Sequence, residues 1–314
     1  MSDTRTIGAI PRTRAWGVAL AFCTALISGV AVFVNGYGVK RFASPTSYTT
    51  AKNLVAAVLL LALTAGATAL RSPAAWTAPR RARERLGLLV VGVVGGGVAF
   101  VLFFEGLARA SSPDAAFIQK TLVIWVALLA VPLLGERLGP AHFAAIALLL
   151  VGQAELTNNL GDLTLTGGEV MIAAATLLWS FEVIVAKWLL SSLSPLTVGV
   201  SRMTIGVVVL VGYLAARGDL AQLTDASASA WWWALITGAI LTGYVVTWFA
   251  ALARAQAVDV TAVLVFGAVI TTILDRLFEG TALAPQWLGL VLITAGTAAI
   301  AAVALRSRAE PAPA

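Results

Sequence analysis

Lys52, Lys120, Glu182 and Arg202 fall inside long apolar runs of the sequence. An ion at such depth costs about 2.5–3.5 kcal/mol on insertion scales, so each needs a partner, water or a task. Glu182 lies three residues after Trp179, which puts both on one helix face. It is suited to binding a cationic group or to exchanging a proton. Lys120, flanked by Gln119 and Thr121, is suited to holding a substrate carboxylate. The structural alternative is an ion pair, Lys120–Glu182 or Lys52–Glu182, that only ties helices together. Lys52 and Arg202 each follow a proline (Pro45, Pro195) by seven residues. That match predicts a shared structural role, such as closing a helix-end carbonyl or anchoring a loop. Asp114 and Asp259 open apolar runs, where a carboxylate caps free N–H groups and complements the helix dipole. Glu105 and Arg109 are spaced for an i,i+4 pair.

Among the aromatics, Trp125, Trp179, Tyr244 and Trp248 are central to their runs, and Tyr244 and Trp248 share a face at i,i+4. Around a cavity such rings stack on planar or cationic solutes; otherwise they pack. Trp16, Trp188, Trp231, Trp232, Trp233 and Trp287 lie near run ends, as interfacial belt residues do. Metal chemistry is not indicated. One cysteine (Cys23) and one histidine (His142) offer no Cys/His cluster, and His142 is expected at a surface or headgroup contact. No cofactor motif occurs, and the glycines of 92–97 lack the strand–turn–helix setting of a nucleotide loop. Their spacing suits close helix contact or a flexing point.

The elements that must position these residues follow from composition. The chain of 314 residues is 60% hydrophobic and 11% charged, with a mean hydropathy of +0.92. A soluble chain carries about a quarter charged residues, so lipid must solvate much of this surface. The net charge of +6 fits a basic membrane-facing surface better than a nucleic-acid site. Apolar runs bounded by charge, Gly, Pro or Asn predict ten spans: 15–37, 46–70, 86–108, 113–134, 140–157, 168–190, 196–216, 230–252, 258–278 and 286–305. The first is read as a retained span, not a signal peptide, for lack of a small-residue cleavage site. With the N-terminus placed inside, thirteen basic residues fall inside and five outside, and the acidic connection after the fifth span falls outside. Both termini are therefore expected in the cytoplasm.

A phrase occurs twice. FEGLARASSPDAAF (104–117) and FAALARAQAVDVTA (249–262) align without a gap at an offset of 145 residues. Lys40 with Ser44-Pro45 likewise resembles Lys187 with Ser194-Pro195. Five spans per half is an odd number, so the second half enters the membrane upside down, as in inverted-repeat transporters. The expected organisation is an N-terminal tail (1–14), a first five-helix repeat (15–157), a second (168–305) and a C-terminal tail (306–314).

The lysine-then-Ser-Pro turns, the LARA phrases and the LLGERLGP stretch (133–140) resemble the drug/metabolite transporter superfamily, specifically its EamA-type members. In that stretch Gly135, Glu136, Leu138 and Pro140 match the family's turn between the fourth and fifth helices of a repeat. The second copy, LFEGTALAP (277–285), reverses the order at Glu279-Gly280. The resemblance implies an all-α membrane protein in which spans 4 and 6 border a central cavity. It also implies a secondary transporter, with efflux favoured, for amino acids, quaternary amines or other metabolites. The expected function is alternating-access transport of a small polar or amphipathic solute, with proton coupling through Glu182. The expected partners are that solute and the lipid bilayer, and the sequence leaves room for a homodimer. The rival class is a membrane-embedded transferase. It would need clustered His or Asp residues at an interface, and the chain shows no such cluster.

Overall fold

The computed structural model describes residues 9–72, 76–110, 112–157, 166–280 and 286–306. The outer parts of both tails, the centre of the acidic connection and the Ala284-Pro285 turn lie outside the described residues. Ten helices among the described residues are long and apolar enough to cross a membrane. Spans 1 to 5 are Arg14–Val39, Pro45–Ala69, Ala82–Leu107, Asp114–Leu134 and Pro140–Thr157. Spans 6 to 10 are Gly167–Leu189, Pro195–Ala216, Ala228–Leu252, Ala257–Glu279 and Trp287–Arg306. "Terminal end" below denotes the end of the bundle where span 1 begins and span 10 finishes.

Local chemistry sets the span ends. Ser44 and Ser194 cap spans 2 and 7, their hydroxyls accepting from the amides of Ser47 (3.1 Å) and Thr197 (3.2 Å), with proline in the first helical turn. Spans 4 and 9 finish on glycines in the left-handed region, Gly135 (φ 69°) and Gly280 (φ 70°). The 145-residue offset carries one glycine onto the other. Glu136 follows its glycine and Glu279 precedes its own, so the two carboxylates are not equivalent.

Packing obeys the repeat. Taking spans 1–5 as counterparts of 6–10, the contact of span 1 with span 8 is matched by span 6 with span 3. The contact of 2 with 8 is matched by 7 with 3, and that of 1 with 9 by 6 with 4. Spans 2 with 7, 4 with 9 and 5 with 10 are their own counterparts. The core therefore lies largely between the halves, and neither half buries its apolar faces alone.

Three spans are irregular. Span 3 runs as an α-helix over Ala82–Val90, a π-helix over Val91–Val98 and an α-helix again over Ala99–Leu107. Span 4 is interrupted at Thr121, between Ser112–Lys120 and Leu122–Leu134, and span 9 between Ala257–Leu264 and Gly267–Glu279. The same offset carries Lys120 onto Val265 and Thr121 onto Phe266, so both breaks occupy one repeat position.

Where the π-helix meets span 7, backbones nearly touch. A Cβ on Gly206 would lie 2.3 Å from the Gly96 carbonyl oxygen, whereas one on Gly212 of the same helix would meet nothing within 4 Å. The glycine run is thus a close-packing surface. We expect Gly206→Ala to lower stability by about 1–3 kcal/mol, the range for overpacking a tight contact. Gly212→Ala should be neutral or slightly stabilising, since alanine is the better helix former. Thermal unfolding of the two variants in detergent checks the contrast.

Candidate functional site

Seven residues separate Pro195 from Arg202, which places the guanidinium about 10 Å into the bundle at 1.5 Å per residue. Glu182 lies seven residues before Leu189, the end of span 6, so the two reach the same depth from the same end. They meet there. Arg202 Nε donates to Glu182 Oε1 at 2.6 Å and Nη2 to Oε2 at 3.2 Å, both residues being buried. Such two-pronged contact is the strong form of an ion pair. Nη2 also donates to the Gly95 carbonyl (3.3 Å), which accepts Trp179 Nε1 as well (3.0 Å), and the guanidinium lies 5.3 Å from the Phe100 ring centroid. A Cβ on residue 95 would sit 2.1 Å from the Glu182 carboxyl, so any larger residue there would displace the carboxyl from Arg202. The partner of Glu182 is therefore Arg202, and neither lysine pairing expected from the sequence is formed. With the guanidinium saturating both carboxylate oxygens, this pair joins spans 3, 6 and 7.

The shared role expected of Lys52 and Arg202 is not observed. Lys52, also buried, presents its ammonium to two ring faces, Tyr48 at 5.1 Å and Phe104 at 5.3 Å. Neither Lys52 nor Lys120 forms an ion pair among the described residues. Lys120 is half-buried beside Gln119, at the interruption of span 4. Irregular backbone at membrane depth is tolerated only inside protein or along a water-filled cavity. Thr49 Oγ1 and both amide atoms of Asn53, in span 2 beside Lys52, are buried and unpartnered.

Trp179 packs against Phe100 and Phe103 with its N–H committed to Gly95. Tyr244 and Trp248 stack at 6.0 Å with planes 11° apart, Trp248 buried and Tyr244 partly accessible. Trp125 is exposed and donates to Thr121 Oγ1 (3.2 Å). Glu105 and Arg109 pair at 3.0 Å, as their spacing predicts. The LARA arginines behave alike in both halves: each donates to the carbonyl four residues back, Arg109 to Glu105 (2.6 Å) and Arg254 to Ala250 (2.7 Å).

The terminal end is cross-linked by residues whose partners lie far off in sequence. Lys187 Nζ donates to the carbonyls of Leu252 and Ala255, each at 2.6 Å, closing the end of span 8. Glu136 accepts the first amides of span 9, Ala257 N (2.5 Å) and Val258 N (3.1 Å). The cap of span 9 thus comes from the other half, and Asp259 is not that cap. Instead Asp259, buried in the first turn, holds Arg14 at 3.1 Å and lies 3.5 Å from His142 Nε2. His142 is buried rather than a headgroup contact, and its Nδ1 accepts from Gly139 N (3.1 Å). Asp114 is likewise buried in the first turn of span 4. Arg14, Glu136, Lys187, Arg254 and Gln256 line a recess of about 580 Å³ at this end. A wider groove of about 790 Å³ between spans 2 and 7 is mostly apolar and includes none of the buried ions.

The model of the EamA-like transporter family matches twice, over residues 15–156 and 166–302. The chain belongs to the EamA-like transporter family. No match is found among curated proteins. Among solved structures, one described only as "Crystal structure of protein" superposes with a TM-score of 0.71 at 18% identity, covering 92% of this chain and 98% of its own. That likeness concerns the fold. The EamA-like chain is thus a multi-pass membrane protein of transporter type with two repeats.

Breaking the buried pair on one side leaves an uncompensated charge, so Glu182→Gln or Arg202→Met should each cost about 3–5 kcal/mol. The double variant should recover much of that loss, as read by detergent unfolding. Burial pushes the Glu136 carboxyl up from its ordinary 4.5, against the two amides and Lys187, which favour the charged form. A folded pKa above the unfolded one stabilises fully below the unfolded pKa, and that contribution is lost as pH rises through the folded value. Melting temperature should therefore fall as pH rises above about 4.5, and Glu136→Gln should flatten that slope.

Proposed function

We propose that this EamA-like protein is a secondary active transporter, not an enzyme. It moves a small polar or amphipathic metabolite across the cytoplasmic membrane by alternating access between its inverted halves, in the direction of efflux, with both termini cytoplasmic. The observation that carries the reading is an inequality between matched residues. Lys187 is engaged with two helix-end carbonyls, while Lys40, at the matching place in the first half, is exposed. In a scaffold whose packing is otherwise symmetric, one end held by this lysine and a matching end not held by its counterpart is what a single state of an alternating cycle looks like, the opposite end being bridged instead by Tyr37–Glu279 (3.0 Å) and Ser44–Gln222 (2.7 Å). The terminal end is the one that this lysine holds. The interruptions of spans 4 and 9, at one repeat position, are where such proteins build solute sites.

Glu182 is spoken for by Arg202, which argues for cohesion in preference to proton exchange at that residue. The EamA-like protein reconstituted in liposomes should exchange at least one solute from a metabolite panel, faster with an imposed proton gradient than without. Lys187→Met should slow exchange several-fold through a weakened terminal closure, with the protein still monodisperse. Absence of any gradient-driven or exchange flux across the panel would remove the transport reading.

A further inference from the structure

The two halves treat the same buried cation differently. Arg202 and Lys52 each lie seven residues after the proline of a Ser-Pro turn, so they are equivalent positions. Glu182 lies five residues before Lys187, and five residues before Lys40 is Asn35. The carboxylate that neutralises the cation in the second half is thus a carboxamide in the first. Each cation also meets a ring of span 3, although the two rings are not repeat counterparts, Phe104 aligning with Phe249 and Phe100 with Val245. Arg202 lies 5.3 Å from the Phe100 ring and Lys52 5.3 Å from the Phe104 ring. Asn35 reaches Lys52 only through Tyr48, whose hydroxyl donates to Asn35 Oδ1 (2.5 Å) and whose ring underlies the ammonium at 5.1 Å.

What remains is a buried ammonium with aromatic faces around it and no counter-ion among the described residues, about 10 Å from the end opposite the termini. Burying a charge without a partner is among the most costly arrangements in a membrane interior, and the usual remedies are a paired ion or a solute that supplies one. The Asn35 amide nitrogen makes no hydrogen bond among the described residues, so a second donor stands across the same tyrosine. Thr49 Oγ1 and the Asn53 amide, on the adjoining arc of span 2, are likewise buried and unpartnered. One ammonium balances one negative charge, which suits a monocarboxylate better than a phosphate dianion.

We propose that Lys52 and Asn35 form a receptor for the carboxylate of the transported solute, the solute taking the place that Glu182 fills in the other half. The flanking rings of Tyr48 and Phe104 favour an apolar or aromatic group next to that carboxylate. The proposal rests on the transport reading, and Lys52 becomes a binding residue where the sequence predicted a structural one.

The decisive variant is Asn35→Asp, which installs in the first half the pairing already present in the second and so should leave the fold intact. The probes are single-carboxylate acids (aromatic and aliphatic amino acids, their N-acetyl forms and 2-oxo acids), each beside its primary amide. They are assayed by thermal shift in detergent and by counterflow in liposomes. At least one acid should bind and exchange, with its amide weaker by roughly tenfold or more. Asn35→Asp and Lys52→Met should both lose that preference, Asn35→Asp with an unchanged or higher melting temperature. Amides that bind and exchange as well as their acids would overturn the carboxylate receptor. So would acid exchange undiminished in Asn35→Asp. Those results leave transport itself standing, whereas a panel in which nothing is exchanged removes transport and the receptor together.

Discussion

The architecture turns on one buried ion pair. Glu182 and Arg202 meet between spans 6 and 7, and span 3 must then accommodate them: it surrenders its side chain at Gly95 and lends that residue's carbonyl to Arg202 and Trp179. Close approach of Gly96 to Gly206 follows, because a bulkier pair would hold the helices apart. Three helices from two ends of the sequence are thereby fixed by electrostatics in a medium offering little hydrophobic force between helices. The pair also neutralises Arg202, whereas Lys52 at the matching position forms no ion pair among the described residues.

Duplication explains the scaffold, and departures from it mark what the scaffold is for. Matched residues do matched work where geometry alone matters: the Ser-Pro caps, the terminal glycines of spans 4 and 9, and the LARA arginines. Chemistry differs at Lys120 against Val265 and at Asn35 against Glu182, and contacts differ at Lys40 against Lys187. A two-fold arrangement of identical halves would hold both ends equally and bind any solute equally well in two inverted poses. Broken symmetry makes the two ends of the EamA-like chain chemically distinct.

Features set by local spacing were legible in the sequence. Span limits came from apolar runs, caps from Ser-Pro turns, and Glu105–Arg109 from its i,i+4 interval. Contacts between distant segments were not. Glu136 caps a helix 121 residues away, and Asp259 meets Arg14 and His142 across the bundle. A periodic pattern records which residues face inward, without recording what faces them. Arg202 as the partner of Glu182 was within reach, since both stand seven residues from the same end of neighbouring spans. The shared position of Arg202 with Lys52 drew the expectation toward a common role instead.

Span 3 holds 26 residues and its counterpart, span 8, holds 25, although their last residues, Leu107 and Leu252, align without a gap. The surplus lies where the Ala99 amide bonds back to Val94, five residues away rather than four. An α-helix given one extra residue must either turn everything beyond it by about 100° or hold the addition in a wider turn. The glycine-rich turn of span 3 does the latter, so the two faces on either side kept their orientation. An insertion in one copy after duplication would leave this trace, and the Glu182 carboxylate now rests against that turn, in the space that Gly95 leaves by having no side chain.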